Sequence, residues 1–317
     1  MPVEYNGDAD EVLQGKKLFI DDGLGNPLKA KILFKTQKPT LPDGTEWDQT
    51  NDAANNMRYA HSLNLPVLVQ KMLPNPGRVV IVGGGPSVKN HLEEIRTLAS
   101  VKENIVFAIN WTHTWLIENG IIPNACVFFE IDAEPDTVLK NLHQDCTYYI
   151  CSHCSTKTFD ALKGYKRILW HSPPNSDIER VTGEELFPNS ALCGGGIGTF
   201  TRTLTVALFL GYRNFELFGC DSSFPDTSES SHVEGYETVM DPNVDGFYVY
   251  AEDEGKQEVR RFKTLGYLAL QVEEFKDYCL TNHHIFSLRV HGKTLLRFVH
   301  ERMFPDQYEH MPKFEEL

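Results

Sequence analysis

Val79-Val80-Ile81-Val82-Gly83-Gly84-Gly85-Pro86-Ser87 is the stretch whose reading decides the fold. Four consecutive β-branched aliphatic residues leave no polar face, the pattern of a strand covered on both sides. Three glycines then end the run and let the backbone turn sharply. Proline suits the first position of a following helix, and Ser87 can cap it. A buried strand, a glycine turn and a helix make the first half of a βαβ unit.

Reading outward, the same texture repeats. Residues 87–99 are helical in pattern, and Ile105-Val106-Phe107-Ala108-Ile109 is a second buried run. A helix near 111–119 leads to Ala125-Cys126-Val127-Phe128-Phe129, and Tyr148-Tyr149-Ile150-Cys151 and Arg167-Ile168-Leu169-Trp170 read as two more strands. Residues 200–210 read as a buried helix and Phe215-Glu216-Leu217-Phe218 as a strand. Alternation at this spacing predicts an α/β fold, a Rossmann-like and mainly parallel sheet with helices on both faces. Residues 222–260 are polar and loop-rich, and 261–280 predict a helix with Phe262, Leu265, Leu268, Ala269, Val272 and Phe275 at core spacing. Upstream, alternating runs at 16–20 and 29–34 predict a hairpin and 52–62 a helix, so residues 1–77 are expected to form an N-terminal extension to a domain over 78–317.

With 44 acidic against 30 basic residues, a net charge of −14, the chain lacks the basic stripe of a duplex nucleic-acid reader. A nucleotide is still compatible, since backbone amides and a divalent cation can host phosphate on an acidic protein. Seven scattered cysteines, an odd number, predict reduced thiols in a cytoplasmic protein. The first residues carry no secretory pattern, and no apolar run approaches the roughly 18–20 residues that span a bilayer. No membrane insertion is expected.

Candidate binding groups collect where strands end. In an open parallel sheet the first strand-to-helix turn is the usual phosphate site, which nominates Gly83, Gly84, Gly85, Pro86 and Ser87. The stretch is neither a P-loop nor a Gly-x-Gly-x-x-Gly fingerprint, and a tight turn without ligand competes with the binding reading. Asn110 follows the second strand and either contacts a nucleotide or caps the next helix. Glu130-Ile131-Asp132 ends the third strand, and carboxylates two apart on one face suit Mg²⁺, with Asp132 the stronger candidate. Cys193-Gly194-Gly195-Gly196-Ile197-Gly198-Thr199 is a second glycine-rich approach to a helix, and Asp221 ends a later strand. The competing reading gives these glycines to helix–sheet packing and Asp221 to a turn cap. His232, on a polar loop, is a candidate acid or base. Cys151-Ser152-His153-Cys154 lacks the second pair a zinc ribbon needs. His283-His284 read as surface and Trp111 and Trp115 as core. A Gly-x-Ser-x-Gly elbow and a His-Glu-x-x-His motif are absent, against serine hydrolases and zincins.

At these residues the chain resembles the MptE-like family, which includes archaeal pterin diphosphokinases and bacterial motility accessory factors. The matching pieces are Val82-Gly83-Gly84-Gly85-Pro86-Ser87-Val88, Asn119-Gly120-Ile121-Ile122-Pro123-Asn124, Phe129-Glu130-Ile131-Asp132, Gly194-Gly195-Gly196, Leu210-Gly211-Tyr212, Leu217-Phe218-Gly219-Cys220-Asp221 and Ser231-His232, in order across about residues 78–290. A bacterial sialyltransferase family is more distantly similar, and there a histidine in such a loop is the base. The chain departs from the pattern in having glycine where many relatives keep a serine in the second glycine motif, and Asn110 where many diphosphokinase-like members have aspartate.

The resemblance implies a Mg²⁺-dependent transfer of diphosphate from ATP to a hydroxyl of a small molecule. In it Gly83 to Ser87 with Gly194, Gly195, Gly196 and Thr199 cradle phosphates, Asp132 and Asp221 hold the cation, and His232 with Asp221 serves the chemistry. Two other readings stand: glycosyl transfer from a nucleotide-activated sugar, and a non-catalytic scaffold. The expected partners are a nucleotide and a small-molecule or glycan acceptor, with a homo-oligomer allowed.

Overall fold

A computed structural model describes residues 49–131, 139–223, 232–233, 247–253, 256–264 and 266–314. The extension's expected hairpin and Asp132 lie outside these residues. Seven strands form one parallel sheet: β1 (Arg78–Val82), β2 (Ile105–Ile109), β3 (Ala125–Phe128), β4 (Thr147–Cys151), β5 (Lys166–Trp170), β6 (Asn214–Phe218) and, further on, β9 (Ser287–Val290). Their order is β5-β4-β3-β2-β1-β6-β9. The chain steps one way from β1 to β5, then returns across the sheet to place β6 on β1's other side. That reversal leaves a crevice at the carboxyl ends of β1 and β6.

The strands form where the sequence has continuous apolar runs. Val79, Val80, Ile81 and Val82 are wholly buried, as are Cys126, Val127 and Ile150. The helices in chain order are α1 (Gln49–Ser62), α2 (Leu92–Ala99), α3 (Thr112–Glu118), α4 (Thr156–Ala161), α5 (Asp177–Leu186), α6 (Thr199–Phe209), α7 (Gly266–Asn282) and α8 (Leu295–Met303). The segment after the glycine turn opens as a 3₁₀ turn, Pro86–His91, before α2. α6 is buried almost all round, its threonines and Arg202 included, and packs Phe200, Leu204, Val206, Ala207 and Leu208 into the core. All seven cysteines are buried and free.

Residues 49–77 belong to this body. The Asn56 amide donates to the carbonyls of Ile131 and His153, and Val67 makes a parallel bridge to Leu169 beyond the sheet's edge. Two expectations need correction. Within the stretch read as loop, Phe247–Asp253 and Lys256–Thr264 form an antiparallel hairpin, β7 and β8. The helix expected from 261 therefore starts at Gly266, and Phe262 packs from a strand against Phe298 and Phe314.

β1 and β6 run so close that their following turns interlock. The Gly83 N–H donates to the Phe218 carbonyl at 2.8 Å and the Gly85 N–H to the Gly219 carbonyl at 2.7 Å. A Cβ on Gly219 would overlap the Gly83 carbonyl oxygen, and Gly219 has φ +62. Gly219→Ala is therefore expected to lower stability by at least about 2 kcal/mol, left-handed strain plus a backbone clash. Gly120→Ala is the control, with φ +76 but nothing within 4 Å of a new Cβ, and is expected to cost about 1 kcal/mol. Urea unfolding midpoints of the two variants measure the difference.

Candidate functional site

The crevice is a cleft of about 490 Å³. Its floor is the backbone of Gly83, Gly84, Gly85, Gly219 and Cys220. Asn110, Trp111 and Glu130 form one wall, Asp221, Ser222 and Ser223 another, and Thr199, Phe200, His232, Tyr267 and Gln271 close the rim. The sheet thus gathers Gly83, Gly84, Gly85, Asn110, Thr199, Asp221 and His232 from five separate segments. It does not bring Gly194, Gly195 and Gly196 to the cleft. The Ile197 N–H at the end of that run donates to the Glu274 carboxylate of α7 at 2.6 Å, and a Cβ on Gly195 would meet the backbone of Thr201 at 2.8 Å. Those glycines serve helix packing.

Most amides of the first glycine turn are committed within the protein. Besides Gly83 and Gly85, the Ser87 N–H donates to Asp221 Oδ2 at 2.8 Å, and Ser87 Oγ donates to Asp221 Oδ1 at 2.6 Å. The Asp221 carboxylate stands where an anion would meet the start of the 3₁₀ turn. Of residues 83–87, Gly84 alone points no hydrogen-bonded N–H at a described residue, and its carbonyl accepts from the Val233 N–H at 2.8 Å. That last bond fixes His232 over the turn, its ring 5.1 Å from that of Trp111.

Trp111 packs half-buried against the core, as expected, and also lines the cleft. Its indole covers Gly84, where any Cβ would collide with the ring, while Trp115 is buried as expected. Asn110 adopts φ +48 at the end of β2. Its Oδ1 accepts from the Phe129 N–H at 3.1 Å and its Nδ2 donates to Glu130 Oε1 at 2.6 Å. The side chain orients Glu130, whose carboxylate is exposed at the cleft.

Of the nominated cleft residues, Asp221 and His232 have perturbed titration. Burial pushes Asp221 up to about 6, against the lowering pull of its Ser87 hydrogen bonds and of His91. Burial lowers His232 below the ordinary histidine value, so its imidazole is neutral at pH 7. The Ser222 hydroxyl, in the cleft wall with φ +49, is buried without a hydrogen-bond partner among the described residues. Leaving such a group unsatisfied costs about 1–3 kcal/mol, a penalty that a bound polar ligand would relieve.

The cleft residues that sequence reasoning passed over are Trp111, Ser222, Ser223, Tyr267 and Gln271. Trp111 and Ser222 each directly follow a nominated residue at a strand end, and Ser223 comes one further on. Tyr267 and Gln271 are four apart, on one face of the helix after the His232 loop. Elsewhere, Cys151, His153 and Cys154 are buried beside the sheet, and among the described residues they form no cluster with metal-binding geometry. His283 and His284 are exposed, as expected. No helix among the described residues is long and apolar enough to cross a membrane.

A solved structure with the same architecture is the MAf glycosyltransferase from Magnetospirillum magneticum AMB-1, with a TM-score of 0.54 and 18% sequence identity. The match covers 76% of this chain but 36% of that protein, so this chain corresponds to about a third of its length. No functionally curated protein matches at the sequence level. The family described as 6-hydroxymethylpterin diphosphokinase MptE-like matches residues 51–227, beginning inside α1 and ending just past the Asp221 turn, and so takes in every strand from β1 to β6. The chain belongs to the MptE-like family.

Proposed function

We propose that the chain is a Mg²⁺-dependent transferase that moves a diphosphate from ATP to a hydroxyl on a small planar heterocycle. One observation carries this reading. The cleft presents the Glu130 carboxylate, the buried Asp221 and an unsatisfied hydroxyl, yet no lysine or arginine is among its described lining residues. A polyphosphate entering such a cleft needs its charge balanced by a cation that the carboxylates hold. The metal-free glycosyltransferase alternative lacks that balance.

The donors fit a hard cation. Glu130 offers an exposed carboxylate fixed by Asn110, and by sequence Asp132 is the next carboxylate along. A Mg²⁺ bound there supplies neutralisation of charge on the transferring phosphoryl groups. Asp221, given as a cation ligand by the family resemblance, takes a different part in this reading. Both its oxygens accept from Ser87, so it holds the glycine turn in place. The Gly84 N–H then faces the phosphates. Trp111 and Tyr267 give aromatic faces for a purine or a pterin, in line with the family's description. The acceptor hydroxyl oxygen bonds the β-phosphorus while the α–β bridging bond breaks, so AMP departs and the product carries the diphosphate. Neutral His232 accepts the hydroxyl proton.

Calorimetry with ATP, CTP, CMP and nucleotide sugars, with and without Mg²⁺, tests the assignment. ATP is expected to bind only with Mg²⁺, and Glu130→Gln to weaken that binding at least about tenfold. His232→Ala is expected to leave ATP affinity within about twofold and to cut diphosphate transfer to 6-hydroxymethylpterin about 10²–10⁴-fold. A metal-independent response to CMP or a CDP-sugar would sink the reading and point to glycosyl transfer.

Asp221 has its own signature. Its folded pKa lies near 6 against an ordinary 3.8, so the folded chain binds this proton more tightly than the unfolded chain. The side chain's contribution to stability therefore falls as pH rises from about 4 to about 6 and is level above that. Asp221→Asn can accept from the Ser87 N–H and donate to Ser87 Oγ without titrating. Its stability relative to the natural chain is expected to rise across the same window in urea melts. A constant difference would show that the buried carboxylate is not the group that titrates.

A further inference from the structure

The residues flanking the 3₁₀ turn build a second constellation outside the cleft. His91 ends that turn, Glu94 lies in the first turn of α2, and His291 directly follows β9. One ligating atom from each falls within 4.8 Å of the others. His91 Nδ1 lies 3.0 Å from Glu94 Oε2, and His291 Nδ1 lies 3.2 Å from Glu94 Oε1. Tetrahedral ligands about 2.0–2.2 Å from a metal are separated by about 3.4 Å; the two imidazole–carboxylate spacings, each to a different Glu94 oxygen, lie near that value, and the remaining separations, all within 4.8 Å, close by at most about 1.4 Å to surround an ion.

The supporting groups fit that use. The second nitrogen of His291, Nε2, bonds the carboxylate of Glu216 at 2.9 Å, and Glu216 is 1% exposed in the middle of β6. A carboxylate behind a ligating imidazole fixes its tautomer and raises its basicity, the usual outer partner of a metal-bound histidine. Glu216 is itself held by Arg289 and by Arg78, the latter at 2.8 Å. Phe218 stacks on the His291 ring at 3.9 Å and lies 5.6 Å from that of His91, so both rings are oriented before any ion arrives. A cavity of about 300 Å³ adjoins all three residues, and the Glu94 side chain is 46% exposed, which leaves an access route and room for water on the ion.

We propose that His91, Glu94 and His291 bind a first-row divalent transition-metal ion of the Zn²⁺ class. Two imidazoles and one carboxylate suit Zn²⁺ far better than Mg²⁺, which takes oxygen ligands. The ion's role is structural. It ties the end of the 3₁₀ turn to the residue after β9, and the next residue, Gly292, packs so closely on Ser87 that a Cβ there would lie 2.8 Å from Ser87 Oγ. Ser87 is the partner of Asp221, so the ion braces the turn that floors the cleft.

Chelator-treated, nucleotide-free protein titrated with Zn²⁺, Mn²⁺ and Mg²⁺ in separate calorimetric runs tests this, with metal counted by plasma mass spectrometry after desalting. One Zn²⁺ per chain and a higher melting temperature that chelator reverses are expected, with no comparable response to Mg²⁺. His91→Ala and Glu94→Gln, each checked for folding by circular dichroism, are expected to weaken Zn²⁺ binding at least tenfold. Should His91→Ala not fold, Glu94→Gln, altered at an exposed side chain, decides alone. Folded wild-type protein that retains no Zn²⁺, or folded variants that bind it as tightly as wild type, would overturn the proposal. Without nucleotide in the assay, neither result depends on the ATP reading.

Discussion

The clasp between the turns after β1 and β6 is the constraint on which the rest of the structure depends. Two parallel strands from opposite ends of the fold's wiring meet there, and their carboxyl ends approach closely because Gly83 and Gly219 have no side chains. Asp221 then reaches from one turn to bond both polar groups of Ser87 in the other. The cost is a carboxylate taken out of water, visible in its raised pKa. The return is a rigid floor at the one edge of the sheet where the chain reverses direction. Without the clasp the crevice would have no fixed depth, and Trp111 and His232, which both rest on Gly84, would lose their platform.

Six of the sheet's seven strands were legible in the sequence as apolar runs; β9, the short SLRV of Ser287–Val290, was not. Continuous apolar runs such as Val79-Val80-Ile81-Val82 admit few other readings, and their spacing implied the parallel order. The β7–β8 hairpin was not legible for the converse reason. Lys256–Thr264 reads KQEVRRFKT, in which charge and β-propensity compete and packing against α8 decides. Helix α5 was passed over because its sequence is polar, with only Glu179 and Thr182 buried.

Within the site, residue position was readable but residue role was not. Glycine at a strand end is compatible with a ligand's approach or with another strand's approach, and the sequence of Gly83-Gly84-Gly85 is the same in both cases. The destination of each N–H separates them: Gly83 and Gly85 serve the clasp, and Gly84 is left for the cleft. The same holds for Gly195 and Gly196, whose packing partners Thr201 and Glu274 lie near and far in sequence respectively. Asn110 illustrates a third kind of ambiguity. As a cap or a ligand it would use its amide on the next helix or on a nucleotide, whereas it spends both ends on the two residues just past β3, Phe129 and Glu130.

Charge is the argument that leads the proposed function to a cation in this cleft. An acidic chain that bound polyphosphate through lysine or arginine would need those side chains at the strand ends, and among the described residues the cleft has none. Backbone amides cannot compensate, because the clasp has already consumed most of them. The electrostatic requirement therefore passes to the carboxylate that Asn110 holds at the cleft wall, and a carboxylate attracts phosphate only through a metal ion between them. In the proposed ATP reading, the architecture that makes the floor rigid is thus also what makes the site call for an ion.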